Sequence, residues 1–434
     1  MLQPCSSFRS LLACLALFAT VNSFAGTAYA DPEPATAVPL PEVFTRDVAV
    51  SWALQNNPEL ATLRQQHGIA AAAVVIARTY PFNPLLENRV QDSSGPVSAG
   101  ITNRVPLEHL LLWEVELRGQ GKYRRQAAAA ALSRTDWEIA FQEAALAVHV
   151  IRAFDAVLYR REKLALIEST INLEHQSVLR LTELRKAGKL LQPDLILART
   201  EEEDARGQTG TGRTNLSIAE SELRRGLGVV GGSLSVQGTL IKPEQPWQAD
   251  TLIPVALERR PDLHARQAAL AEAEASVRLA IADRYGNPTL GPAYTYDPTR
   301  VHEIGGQLNI PLPLFNTHRG EIKQREAERD RVRLELQQTD VAIRQDIFAA
   351  LDRLRNGREW ASKYEKEILP HLETALKDMQ SLFEQSQADV LRVVDVLRKL
   401  IRARDVYLDA LWEVSQAQAD LAAALGDPSL ASAP

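Results

Sequence analysis

Apolar positions along this chain follow two different periods. Val150, Val157, Leu164, Ile171 and Val178 recur every seven residues, and Ile368, Leu372, Leu376, Met379 and Phe383 form a second stripe. A sustained seven-residue period predicts long helices that supercoil left-handedly against neighbours. The stretches carrying these stripes run over about 114–187 and 317–385. At 1.5 Å per residue, a helix of about 66 residues is ~100 Å long, which exceeds a compact domain and implies a rod or tube. Shorter helices are predicted at about 58–80, 194–226, 261–284 and 390–425, with Pro58 and Pro261 at entries where a missing N–H costs nothing. On the stripes alone, an ordinary helical bundle fits equally well.

The second period is two. Val97, Ala99, Ile101, Asn103, Val105 and Leu107 alternate with Ser98, Gly100, Thr102 and Arg104. Leu290, Pro292, Tyr294 and Tyr296 alternate with Thr289, Gly291, Ala293 and Thr295, and Ile304, Gly306, Leu308, Ile310 and Leu312 with Glu303, Gly305, Gln307 and Asn309. A fainter alternation surrounds Leu86, Asn88 and Val90. Strands with one apolar and one polar face suit a membrane barrel, where Tyr294 and Tyr296 would join an aromatic girdle. They also suit any half-buried sheet.

The pattern is written twice. Ala53-Leu54-Gln55-Asn56-Asn57-Pro58-Glu59-Leu60 returns as Ala256-Leu257-Glu258-Arg259-Arg260-Pro261-Asp262-Leu263. Asn83-Pro84 returns as Asn287-Pro288, Val105-Pro106-Leu107 as Ile310-Pro311-Leu312, and Arg118-Gly119 as Arg319-Gly320. Gln192-Pro193-Asp194-Leu195 pairs with Gln387-Ala388-Asp389-Val390, and Leu227-Gly228 with Leu425-Gly426. Matches kept in one order at a near-constant offset mark a duplication. The expected partition is a signal peptide (1–30), an extended proline-rich arm (31–44), a first repeat (45–228, hairpin about 85–108), a connection (229–250), a second repeat (251–426, hairpin about 289–312) and a tail (427–434).

Composition narrows the chemistry. The 434 residues carry a formal net charge of −6 with the signs mixed, which offers no nucleic-acid footprint. The two cysteines, Cys5 and Cys14, fall in the leader, and the eight histidines are scattered, so no metal site, redox centre, disulfide framework or cofactor is expected. Arg9, the apolar run Leu11–Ala19 and Ala28-Tyr29-Ala30 read as a secretory signal cleaved after Ala30. Leu11-Leu12-Ala13-Cys14 leaves a lipoprotein cleavage box open as the rival. No later stretch reaches the ~20 apolar residues of a membrane helix. A nucleophile elbow, a phosphate loop and a paired-carboxylate signature are all missing, so an enzyme is not expected. Two hairpins give four strands, too few to close a barrel, and open edges in lipid are prohibitive. Oligomerisation solves this, and three chains supply twelve strands.

The two Asn-Pro turns, the Arg260-Pro261-Asp262-Leu263 opening and the Ile310–Asn316 stretch followed by Arg319-Gly320 resemble the outer membrane efflux protein (TolC) family over essentially the whole mature chain. The length and the Ile310–Asn316 stretch are most similar to its heavy-metal cation-efflux branch. The resemblance implies a mainly α fold with a small β part. It implies a homotrimer whose 12-stranded β-barrel lies in outer-membrane lipid and continues as a periplasmic α-barrel. The implied partners are a periplasmic adaptor and an inner-membrane proton-driven pump of the resistance–nodulation–division class. The implied cargo is divalent heavy-metal cations, with drugs or other organic compounds as the alternative.

The resemblance also directs attention to the turns between long and short helices. The first turn contains Gly188, Lys189, Leu190 and Asp194; the second contains Asp389 and Val390, with Asp395 just beyond it. By resemblance, Gly188, Lys189, Leu190, Asp389 and Val390 are adaptor-contact candidates and Asp194 and Asp395 gate candidates. Threefold symmetry would gather each aspartate into a ring that attracts cations. Asp194 is equally placed to stabilise a helix N-terminus, and Asp395 to lie on a solvated face. Arg392 and Arg398 are candidate partners for Asp395. A periplasmic adaptor is the remoter reading, opposed by the duplication.

Overall fold

Two sets of helices, each interrupted by a pair of strands, account for the regular structure. The computed structural model describes residues 40–103, 105–188, 191–232, 234–240, 247–385, 387 and 390–429. Residues 40–42 are the described part of a unit ending at Glu42, and the elements below belong to the unit Val43–Pro434. The expected signal peptide, nearly all of the arm, and Lys189, Leu190 and Asp389 lie outside the described residues.

The first set contains α1 (Arg46–Asn56), α2 (Pro58–Arg78), β1 (Leu85–Val90), β2 (Leu107–Glu114), α3 (Gln120–Lys186) and α4 (Gln192–Leu227). The second contains α5 (Ala249–Arg259), α6 (Pro261–Asp283), β3 (Thr289–Tyr296), β4 (His302–Asn309), α7 (Arg319–Lys363), a π-turn (Tyr364–Ile368), α8 (Leu369–Glu384) and α9 (Val390–Leu425). Asn57 ends α1 and caps α2, its side chain accepting from Glu59 N at 2.9 Å and Leu60 N at 3.2 Å. Gly228 and Gly426 both take left-handed φ, +70° and +66°, at the ends of α4 and α9, as the repeated Leu-Gly pairs require.

Each set has its own core. Phe44, Ala53, Val150, Phe154, Val157 and Leu223 pack in the first; Leu252, Ala256, Ile343, Ile347, Leu354 and Leu421 pack in the second. The first also buries an ion pair, Arg46 Nε to Asp155 Oδ1 at 2.6 Å, with Ser415 Oγ donating to the same carboxylate. Of the first seven-residue stripe, Val150, Val157 and Val178 are buried and Leu164 and Ile171 half-buried; the second stripe is half-buried throughout.

Four sequence expectations need correction. The alternating run from Val97 is not a strand: Val97–Ala99 is a single 3₁₀ turn ended by Gly100 at φ +80°, and the strand is Leu107–Glu114. The long helix therefore begins at Gln120 rather than near 114. Arg118-Gly119 and Arg319-Gly320 are not equivalent in role. Gly119, at φ +75°, caps α3, whereas His318, at φ +51°, caps α7 and leaves Gly320 inside the helix. β4 ends at Asn309, short of the expected Ile310 and Leu312.

Candidate functional site

The four strands form one antiparallel sheet in the order β1-β2-β3-β4, so the seam between the two halves is the pairing of β2 with β3. The registers decide which side chains share a face. Leu112 opposes Leu85, Leu110 opposes Ala293, and Leu290 opposes Leu308. Because successive residues point to opposite sides, one face carries Leu86, Val90, Leu107, Leu111, Trp113, Leu290, Tyr294, Tyr296, Ile304 and Leu308. The other carries Glu87, Arg89, Glu108, Glu114, Thr289, Thr295, Glu303, Gln307 and Asn309. The apolar face is uncovered: Leu86 is 56% exposed, Ile304 86% and Leu308 61%. On the polar face Arg89 and Glu108 pair at 2.9 Å. On the apolar face the Tyr294 hydroxyl meets His302 Nδ1 at 2.8 Å, and His109 stacks on Tyr294.

The central seam has a sequence-enforced weak point. A Cβ on Gly291 would lie 1.6 Å from the Leu111 carbonyl oxygen, so the two backbones meet too closely for any side chain. Pro292 beside it has no N–H to donate, and the β2–β3 pairing lapses between Leu110 and Trp113. The outer edges, β1 and β4, have no strand partner within the described residues. An apolar face, a polar face and two open edges describe a sheet segment awaiting closure.

The sheet is fastened to the helices at one end. Asn287 Nδ2 donates to Glu114 Oε1 at 3.0 Å and its Oδ1 accepts from Gln120 Nε2 at 2.6 Å, while Arg118 donates to Gly286 O at 3.1 Å. The Asn-Pro turn read from the sequence thus links the end of β2, the start of β3 and the first turn of α3.

The other candidate region is the pair of helical turns. Gly188 takes φ +73° after α3, with open space around a hypothetical Cβ, so backbone conformation alone favours glycine there. Asp194 sits half-buried in the first turn of α4, where the helix dipole favours negative charge. In the second turn, Gln385 and Gln387 donate back to Ser381 O and Leu382 O, and α9 begins at Val390. Phe383 packs against Val178, Leu181, Leu195 and Ala198, so one small apolar cluster joins the ends of α3, α4 and α8. Both turns therefore lie at the same end of the helices.

Asp395 is exposed and pairs with Lys399, one turn along its own helix, at 2.9 Å. The expected partner Arg398 instead pairs with Glu201 of α4. Sequence reasoning also missed a polar ladder between α3 and α9. The Tyr159 hydroxyl donates to Asp409 at 2.6 Å, and Lys163 reaches Asp405 at 2.5 Å and Asp409 at 2.8 Å. Burial opposes the Lys163 charge, but its bonds to these carboxylates hold the ammonium pKa above the usual lysine value. These contacts are long-range and leave no local signal. Among the described residues no helix is long and apolar enough to cross a membrane, and no group of three metal-ligating side chains occurs.

Residues 252–427 match the outer membrane efflux protein family. Over 94% of its length the chain is 25% identical to the cobalt-zinc-cadmium resistance protein CzcC of Cupriavidus metallidurans, covering 96% of that protein. The fold superposes on a crystal structure of CusC with a TM-score of 0.72 at 17% identity, covering 91% of this chain and 98% of that one. It superposes on the outer membrane protein VceC of Vibrio cholerae with a TM-score of 0.72 at 15% identity, covering 88% and 96% of the two chains. This is a non-enzymatic efflux channel of the TolC type, located in the outer membrane. The match over residues 252–427 and the near full-length likeness to CzcC both point to the outer membrane efflux proteins.

Proposed function

We propose that three copies of the chain close their sheets edge to edge, β1 of one on β4 of the next, into a 12-stranded barrel continued by a helical tube. The observation that carries this reading is the sheet itself: an uncovered apolar face opposite a charged one, with both edges unpaired among the described residues. Joining the β1 edge of one chain to the β4 edge of the next leaves no edge open, turns the apolar faces to lipid and lines the lumen with Glu87, Arg89, Glu108 and Glu303.

In this reading the conduit is the exit duct of a tripartite pump of the resistance–nodulation–division type. A periplasmic adaptor docks at the turns around Gly188, Lys189, Leu190, Asp389 and Val390. Rings of Asp194 and Asp395 narrow the entrance and concentrate cations. The Asp395–Lys399 pair is exposed and of little energetic weight, so it leaves that carboxylate available for such a ring. Divalent heavy-metal cations are the proposed cargo, supported by the near full-length likeness to CzcC.

Two experiments test this. Cysteines placed in pairs along β1 and β4 should cross-link between chains to a covalent trimer in outer-membrane fractions; a monomer throughout overturns the barrel. A deletion strain should lose growth on cobalt, zinc or cadmium salts. Sensitivity confined to hydrophobic organic toxicants would reassign the cargo and leave the channel standing.

A further inference from the structure

A groove of about 510 Å³ opens between α3, α4 and α9, built wholly from one chain. That volume falls within the range of small-molecule sites. Its floor is apolar, with Leu166, Ile167 and Ile401 beside Gly212. A Cβ on Gly212 would lie 3.1 Å from Leu164 Cδ1 and 3.2 Å from Ile167 Cδ1, so a side chain there would crowd the wall.

Into this space faces Glu174, only 5% exposed, whose Oε2 meets no hydrogen-bond partner among the described residues. Buried polar atoms are nearly always partnered, so an unpartnered one lining a cavity points to something the cavity holds. Burial, opposed by Arg398 and reinforced by Glu202, raises this carboxyl above the usual glutamate value.

The cations around the groove fall into two groups. Lys163 is held by Asp405 and Asp409, and Arg398 by Glu201. Arg160 and Arg402 also line the groove, and neither has a carboxylate within ion-pair distance among the described residues; Arg160 lies 5.1 Å from the Tyr159 ring centroid. The uncommitted chemistry is therefore two guanidiniums and one lone carboxyl above an apolar floor. A cationic ligand would meet four basic side chains. A divalent metal would find no group of three ligating side chains among the described residues.

We propose that this groove binds a small amphipathic organic anion, an aromatic or short aliphatic carboxylate. Its charge rests on Arg160 and Arg402, and its body runs along Leu166, Ile167 and Ile401 toward Glu174, which lies about 21 Å along α3 from Arg160. Charge-assisted bonds of this kind are the stronger ones, and the guanidinium fork matches a carboxylate. The proposal does not depend on the number of chains in the channel or on its cargo.

The test uses the full chain in phosphatidylcholine nanodiscs, titrated calorimetrically with 1-naphthoate, 1-naphthalenemethanol and 1-naphthylmethylamine against empty discs. Naphthoate should bind saturably, once per chain, with the alcohol and the amine at least about tenfold weaker. Arg160→Gln and Arg402→Gln should each lower the affinity by about tenfold, while Glu174→Gln, beyond the reach of the bound carboxylate, should preserve it. Equal binding of the amine, unchanged affinity in both arginine variants, or no saturable binding overturns the proposal. Crystals of the unmodified protein soaked with 4-bromo-1-naphthoate give a reading independent of any variant. The bromine peak belongs in the groove beside Ile401, and a peak only elsewhere overturns the site.

Discussion

The two halves share a backbone plan and solve it with different chemistry. At the end of α4, Gly228 packs against Asn57 and Pro58, and Asn57 Nδ2 donates to Gly226 O at 2.9 Å. At the end of α9, Gly426 packs against Arg260 and Pro261, and Arg260 Nη1 donates to Ala424 O at 3.3 Å. A short amide and a long guanidinium thus close the same junction. The difference extends to what each side chain does besides: Asn57 caps α2, whereas Arg260 pairs with Asp262 at 2.6 Å and reaches Asp346. The cores diverge further. The first buries Arg46 and Asp155, while among the described residues the second set of helices buries one polar side chain, Ser415, which itself donates to Asp155. Duplication kept the places where chain segments must meet and left open the side chains that join them.

The buried pair offers the largest way to break the comparison. Asp155→Ala would leave the Arg46 guanidinium, 8% exposed, without its carboxylate, with the Thr239 carbonyl at 2.5 Å and the Phe154 ring still beside it. Removing one partner of a buried pair costs about 3–5 kcal/mol. Arg46→Met with Asp155→Leu would give the first half the second half's apolar solution. Because well-packed apolar replacements of buried pairs are often neutral, this double variant should recover most of the loss. Denaturant unfolding of the purified variants measures both. A double variant as unstable as Asp155→Ala would mean that the pair does more than fill the core.

A smaller effect separates the two closing glycines. Both sit at positive φ, so alanine at either costs about 1–2 kcal/mol from backbone conformation. The neighbours then distinguish them. At Gly228 a Cβ meets Pro58 Cδ at 2.7 Å and the Asn57 Cα at 3.1 Å; at Gly426 the nearest atoms, on Arg260, are at 3.2 Å. Gly228→Ala should therefore lower the thermal midpoint more than Gly426→Ala. Equal losses would mean that the first junction relaxes as freely as the second.

How much of this the sequence discloses depends on the range of the interaction. The duplication, the long helices and the strands at Thr289–Tyr296 and His302–Asn309 are legible because a local period encodes each. Leu107–Glu114 is hidden because Leu110, 6% exposed, and Leu112 sit on the face that otherwise carries charges, which blurs the alternation. Val97–Leu107 alternates by composition, yet Gly95-Pro96 and Gly100 punctuate it, and that turn chemistry prevails. At the turns, Gly188 could be read from its position after a helix. The partner of Asp395 could not: Arg398 is drawn away by Glu201, nearly two hundred residues earlier in the chain, and no local spacing records that. The open edges of β1 and β4 are a property of the assembled sheet, visible only once four strands are aligned.

The mildest test concerns the long helices. α3 runs unbroken for 67 residues, whereas its counterpart is 45 residues of α7, a five-residue π-turn and 16 residues of α8. The cause is Pro370, which α3 lacks. A proline inside a helix donates no N–H, and its ring presses on the carbonyl four residues earlier, here that of Lys366. The π-turn opens the helix at that place, with Leu369 N–H bonding Tyr364 O five residues back. Pro370→Ala removes the need for the opening. The segment should revert to α-helix, turning everything beyond it by about 100° for the one residue withdrawn from the turn. Relief of the proline penalty, up to about 3 kcal/mol in a helix interior, is then set against turning the half-buried Leu372, Leu376 and Met379 out of their present packing. The two effects oppose, so the net stability should change by less than about 1 kcal/mol while amide exchange around 366–372 slows clearly. A π-turn that persists in the crystal structure of Pro370→Ala would show that packing against α9, rather than proline, interrupts the second long helix.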